Sequence, residues 1–278
     1  MPSLGVLAQY LLPKQALTSL AGRFASARAG AVTTAAIRWF AGRYGVNMSE
    51  AAQPDLAAYA TFNDFFTRAL RDGARPLAAS ARVCPVDGAV SLCGPIEGEQ
   101  IIQAKGHRYT TTALLSGDTE MASRFTNGSF ATIYLSPRDY HRLHMPCAGR
   151  LVRMIHVPGA LFSVNPATVR GVPGLFARNE RVVCLFEGER GPFVMVLVGA
   201  TIVGSMATPW HGVVNPPRTG VMRTWDYAVD GPSAVRLAQG EEMGRFLLGS
   251  TVVMLFPDRV PFKSDWLPGR AVRMGEGM

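Results

Sequence analysis

Cysteine is scarce in this chain and lysine is scarcer. Cys84, Cys93, Cys147 and Cys184 are spread over 278 residues with no C-x-x-C pair among them. A chain this long buries a sizeable core without disulfide staples, so reduced thiols in a cytosolic compartment are expected. Lysine supplies only Lys14, Lys105 and Lys263 of 28 basic residues, so arginine carries most of a formal charge of +8. That excess points to an anionic partner, either an acidic lipid surface or nucleic acid. No basic–aromatic interleaving or nucleic-acid motif occurs, which argues against the second. Long apolar runs are also missing. The first uncharged stretch covers residues 1–13, and beyond it the helical region is interrupted by Lys14, Arg23, Arg28, Arg38 and Arg43. That is too short to cross a bilayer, for which about 20 residues are needed. No charged leader with a short apolar core opens the sequence, so secretion is not expected. Finally, there is no G-x-S-x-G elbow, which argues against an α/β-hydrolase.

What is present divides near residue 74. Residues 1–74 read as helical. Leu17, Leu20 and Phe24 form one apolar stripe, Ile37, Trp39, Phe40 and Tyr44 mark a second segment, and no acidic residue precedes Glu50. Such helices either lie in the headgroup plane of an anionic membrane or pack on the domain behind them. Thr61 and Asp64 resemble a capping box opening a helix through Phe62, Phe65, Phe66 and Leu70, with Gly73 and Pro76 as its stop. Residues 75–278 change texture to short apolar runs punctuated by Gly and Pro. Ala131–Leu135, Val182–Phe186, Phe193–Val198 and Thr251–Phe256 each predict a strand. The fold class expected is α+β: N-terminal amphipathic helices followed by a β-rich, barrel- or sandwich-like catalytic domain.

Three places carry candidate chemistry. Gly249-Ser250 stands at the head of the Thr251–Phe256 run, where glycine is an odd choice for a strand. It makes a bulge, or it leaves the Gly249 carbonyl open to the Ser250 hydroxyl. Ser136-Pro137-Arg138-Asp139 has the signature of a helix start, and a short helix there puts His141 and His144 on one face as an acid/base pair. The alternatives are a zinc site with Cys147, for which no fourth ligand is evident, or two structural histidines. Asp87-Gly88 is a hairpin turn or a positioned carboxylate. Asp87, a histidine and Ser250 are the ingredients of a hydrolytic triad, and a Ser-His-Asp hydrolase with an uncleaved chain is one reading of them.

Several blocks together resemble the phosphatidylserine decarboxylases in their short bacterial form. They are Phe65-Phe66-Thr67-Arg68, Ala74-Arg75-Pro76, Pro85 to Gly88, Tyr134 to Pro146, Phe162 to Asn165, Val198 to Gly204 and Leu248 to Thr251. They occur in family order between about residues 60 and 257.

The resemblance implies an enzyme that makes its own cofactor. The Ser250 hydroxyl attacks the Gly249 carbonyl, the resulting ester eliminates, and the new terminus hydrolyses to a covalent pyruvoyl group with release of ammonia. The chain is thereby cut between 249 and 250. His144 is implied as the base, Asp87 as the carboxylate that orients it, and His141 as the proton donor to the carbanion left by carbon dioxide. No metal is implied. The substrate is phosphatidylserine in an anionic membrane and the product phosphatidylethanolamine, which places the enzyme peripherally on the cytoplasmic side of the cell membrane. The two pieces stay associated, since Thr251–Phe256 reads as a buried strand, and a homodimer is implied.

Overall fold

The computed structural model describes residues 4–201, 205–215, 218–248 and 251–278, and the side chains of residues 4, 5, 7 and 8 are outside that description. Helices α1 (Leu4–Leu11), α2 (Lys14–Ala25) and α3 (Ala31–Tyr44) lead, followed by α4 (Phe62–Phe66). The strands are β1 (Gly88–Pro95), β2 (Gln100–Ile102), β3 (Arg108–Thr110), β4 (Ser129–Tyr134), β5 (Arg142–His144), β6 (Gly149–Val157), β7 (Arg181–Gly188) and β8 (Gly191–Val198). They continue with β9 (Met206–Thr208), β10 (Gly212–Val213), β11 (Arg223–Asp226), β12 (Arg236–Leu237), β13 (Glu242–Phe246), β14 (Thr251–Phe256) and β15 (Ala271–Val272).

Two sheets dominate. The larger runs β11-β6-β7-β8-β14-β4-β1-β15, with β12 also on β6, and the smaller runs β10-β9-β13-β5. Neither closes, so among the described residues the α+β expectation holds in its layered form and not as a barrel. The apolar runs that announced β7, β8 and β14 do not alternate with polar residues because both faces of the large sheet are covered. Val252, Met254 and Phe256 face one core, shared with Leu143, Met206 and Phe246 of the smaller sheet. Val253 and Leu255 face the other, shared with Ile37, Phe65 and Phe66 of the helices. Burial on both sides removes the period-two signal and leaves continuous hydrophobicity.

Two helix expectations fail in instructive ways. The Thr61/Asp64 capping box forms, with both reciprocal bonds at 3.0 Å. The helix then stops at Phe66 instead of reaching Gly73. Beyond it the backbone pairs with residues 50–52, through Ala52 N to Ala69 O and Arg71 N to Glu50 O, both 2.9 Å. At Ser136 the amide and hydroxyl both donate to Asp139 at 2.7 Å, but they cap a turn and no helix follows. The next residues are captured by β13, with Arg142 opposite Arg245 and His144 opposite Glu242. Pairing with a sheet edge outweighs a local cap worth about 1 kcal/mol.

The apolar stripe of α2 is not packed on the protein. Leu20 is 66% and Phe24 58% exposed, and the residues α2 buries are Thr18 and Ala25. Leu11 and Trp39 are likewise exposed.

Candidate active site

Two chain segments cross side by side between the sheets. One leaves β4 at Tyr134 and enters β5, and the other leaves β13 and enters β14. Their ends are tied together: Thr251 pairs with Tyr134, and the Phe246 amide donates to the His141 carbonyl at 3.0 Å. Gly249 and Ser250 belong to the second segment and lie outside the described residues. Their described flanks are unusual. Leu248 holds φ at 114°, a region that residues with a Cβ avoid at a cost of about 1–3 kcal/mol. Thr251 is fully buried, and its hydroxyl has no partner among the described residues.

His141 sits in the first segment, 0% exposed, with its ring 4.0 Å from that of Phe66. Its Nδ1 lies 2.8 Å from the Asp139 carbonyl, which can only accept, so Nδ1 carries the proton. Nε2 therefore presents a lone pair, buried and without a partner among the described residues. Burial pushes this imidazole down to about 3, and nearby Arg68 acts in the same direction. His144 has the same tautomer for the same reason, its Nδ1 lying 2.8 Å from the Gly240 carbonyl. Its Nε2 accepts from the Tyr140 hydroxyl at 3.0 Å. Burial lowers its pKa as well. The two imidazoles do not share a helix face as expected, because His144 ends a strand and His141 precedes it.

Asp87 is gripped from the other side. Arg75 Nε donates to Oδ1 at 2.9 Å, Arg75 Nη2 to Oδ2 at 2.5 Å, and the Met274 amide to Oδ1 at 2.9 Å. Arg75 also bonds Glu50 at 2.7 Å. Asp87 and His144 lie on neighbouring segments, since the His144 amide donates to Pro85 O at 2.9 Å, but no hydrogen bond joins their side chains. Gly88 is not a hairpin turn. It opens β1 so close to β4 that a Cβ would stand 2.4 Å from the Tyr134 carbonyl oxygen. His141, His144 and Cys147 do not gather as ligands, and among the described residues no group of three metal-binding side chains does.

A cavity of about 500 Å³ opens beside these residues, lined by Asp87, Tyr134, Asp139 and Tyr140. Sequence reasoning misses Arg75 and Tyr140, which hold Asp87 and His144. Each lies inside one of the family-like blocks, but no spacing marks a buried ion pair between distant loops.

A family model described as phosphatidylserine decarboxylase matches residues 62–278. The chain belongs to the phosphatidylserine decarboxylase family. A second model, described as PSD, matches residues 4–45, so α1 to α3 carry a family signature too. Relatives named phosphatidylserine decarboxylase proenzyme are similar over almost all of this chain. The protein of Azoarcus sp. (strain BH72) is 71% identical over 276 residues, covering 99% of this chain and 95% of its own length. That of Acidovorax ebreus (strain TPSY) is 74% identical over 276 residues, covering 99% and 96%. As a member of the phosphatidylserine decarboxylase family the chain is a carboxy-lyase. The hydrolase alternative also lacks the aspartate–histidine bond that its triad requires.

Proposed function

We propose that the protein decarboxylates phosphatidylserine to phosphatidylethanolamine, using a pyruvoyl group made from Ser250 when the chain cuts itself between Gly249 and Ser250. One observation carries this reading. The vacant Nε2 of His141 is held in the segment whose two ends are tied to Phe246 and Thr251, either side of the bond to be cut. The strained Leu248 backbone and the unpartnered Thr251 hydroxyl support it. The Thr251 hydroxyl, a donor without a partner among the described residues, fits a small carbonyl-bearing group at the preceding residue. When present, a pyruvoyl group supplies the carbonyl that accepts the electrons released with carbon dioxide.

The chain's own residues handle protons and position. A serine hydroxyl needs a base to attack a neighbouring carbonyl, and His144 Nε2 is a lone pair once the Tyr140 hydroxyl moves aside. Asp87 lies close enough to favour the cation that results. Attack within one chain spares the entropy of bringing two reactants together, about 7–11 kcal/mol at best. Burial keeps His141 neutral, so a proton placed on its Nε2 is held weakly and passes readily to a carbanion.

The substrate is a lipid, and the front of the chain suits a bilayer surface. Exposed Leu11, Leu20, Phe24 and Trp39 offer apolar insertion, while Arg23, Arg28, Arg38 and Arg43 attract anionic headgroups at about 1 kcal/mol each. Among the described residues no helix is long and apolar enough to cross a membrane. The reading is therefore of a peripheral enzyme at the cytoplasmic face of the cell membrane, in which the two pieces of one precursor stay together and form a homodimer.

The intact mass of the purified chain tests this. A C-terminal piece of residues 250–278 with a borohydride-reducible terminus is expected, together with carbon dioxide release from phosphatidylserine. A single uncut polypeptide that releases carbon dioxide, or a cut one that does not, overturns it.

A further inference from the structure

The cavity beside Asp87 holds one buried charge that no carboxylate among the described residues pairs with. Four arginines line it, Arg68, Arg75, Arg138 and Arg273, against three carboxylates, Glu50, Asp87 and Asp139. The carboxylates are taken. Arg75 holds Asp87 and Glu50, Arg273 reaches Glu50 at 3.4 Å, and Ser136 caps Asp139 at 2.7 Å. Arg138 is exposed, with its side chain at 68%, and its Nε lies 3.9 Å from Asp139 Oδ1. Arg68 is different: only 4% exposed, it makes no ion pair among the described residues. Its Nη2 donates to the Arg138 carbonyl at 3.2 Å, its guanidinium lies 5.6 Å from the Phe65 ring centre, and its buried Nε has no partner among the described residues.

Other buried arginines in the protein are compensated. Arg82 is paired with Asp258 at 2.6 Å. Arg181 has no carboxylate, yet it donates to the carbonyls of Ala113, Leu114, Ala177 and Asn179 at 2.7–3.0 Å. A buried cation with no paired carboxylate and a single carbonyl to donate to is costly to keep unless an anion arrives to meet it. Burial disfavours the charged form of Arg68 and outweighs the more distant pull of Asp87, Asp139 and Glu50.

We propose that Arg68 binds the phosphodiester of the lipid substrate, an inference that rests on the decarboxylase reading above. The substrate has two anionic groups, and the reaction chooses between them. The carboxylate loses its charge as carbon dioxide departs, so an arginine on it would stabilise the ground state more than the transition state and slow the reaction. The phosphodiester keeps its charge throughout, and a planar guanidinium fork matches its oxygens. From Arg68 the same cavity reaches Tyr134, the strand partner of Thr251, so a phosphate held at Arg68 leaves the serine end free to extend toward Tyr134.

The test uses the mature enzyme with a short-chain, water-soluble phosphatidylserine as substrate and the matching phosphatidylethanolamine as inhibitor. The product retains the phosphodiester and lacks the carboxylate. Arg68→Gln is expected to raise KM about 10- to 100-fold and to weaken product inhibition by a similar factor, with kcat falling less than KM rises. Arg68→Lys, which keeps the charge and loses the fork, should fall between. An unchanged KM overturns the proposal. So does a raised KM with product inhibition intact, which assigns Arg68 to the carboxylate. A folded Arg68→Gln chain that stays uncut also overturns it, placing Arg68 in maturation. If Arg68→Gln does not fold, the Arg68→Lys comparison decides. On the wild type, phosphatidylethanolamine must also compete better than an O-acyl serine without phosphate, and the reverse order refutes the idea. Wild-type cleavage and carbon dioxide release are measured alongside, so failure of the decarboxylase reading shows separately.

Discussion

Acid should destabilise this protein through His141, and replacing that one residue should remove a calculable part of the effect. The folded imidazole is held near 3 by burial, against an ordinary 6.5 in the unfolded chain. Between those values the unfolded state binds the proton and the folded state refuses it, so stability falls as pH falls. The contribution is fully present above pH 6.5 and is lost progressively toward pH 3. Over that whole window it amounts to about 5 kcal/mol, and between pH 7 and pH 5 to about 2 kcal/mol. His141→Asn keeps a donor for the Asp139 carbonyl and cannot be protonated. It costs some stability at every pH through lost contact with Phe66, but its curve should be flatter. The assay is urea denaturation at pH 7, 6 and 5, with both proteins in a Ser250→Ala background so that neither is cut. Expected is a wild-type loss between pH 7 and 5 that exceeds the variant's by about 2 kcal/mol. Parallel curves would refute the buried, neutral assignment and the proton role built on it.

Three further outcomes follow from the geometry. Arg75→Met strands Asp87 and Glu50, whose side chains are only 12% and 19% exposed, and should cost about 3 kcal/mol in urea unfolding. Gly88→Ala drives a Cβ into the Tyr134 carbonyl, a backbone atom that cannot step aside. A loss of about 1–3 kcal/mol is expected, read as a melting temperature lower by several degrees. Leu20→Glu with Phe24→Glu alters side chains that are mostly exposed, so the melting temperature should hold. Sedimentation with anionic vesicles should weaken by about tenfold or more per residue, since each apolar side chain buried in lipid is worth about 1.5–3 kcal/mol.

The sheet was legible where burial is two-sided. The predicted bounds of Thr251–Phe256 match β14, because a strand covered on both faces is a continuous apolar run ended by a proline. The helix expected at Ser136 is absent, although its cap is there. Ser136 and Asp139 determine only the first turn, and the competitor that captures Arg142–His144 is β13, about a hundred residues away. Residue type and motif single out His141, His144 and Asp87 as candidates, but not their partners. Two of those partners are the backbone carbonyls of Asp139 and Gly240, which have no identity in sequence. Arg68 stands in a family-like block that gives it no role, because an arginine without a counter-ion is recognisable only once every neighbour has been placed.

β14 is flanked on both sides, by β4 and by β8. If the bond ahead of residue 250 is severed as proposed, the centre of the large sheet is a separate molecule. Unfolding then becomes dissociation, and renaturation becomes a second-order encounter that slows on dilution. The shorter piece alone would expose the continuous apolar run Thr251–Phe256, a segment prone to self-association. Such an enzyme folds once, as a precursor, and a population denatured after maturation is not expected to recover.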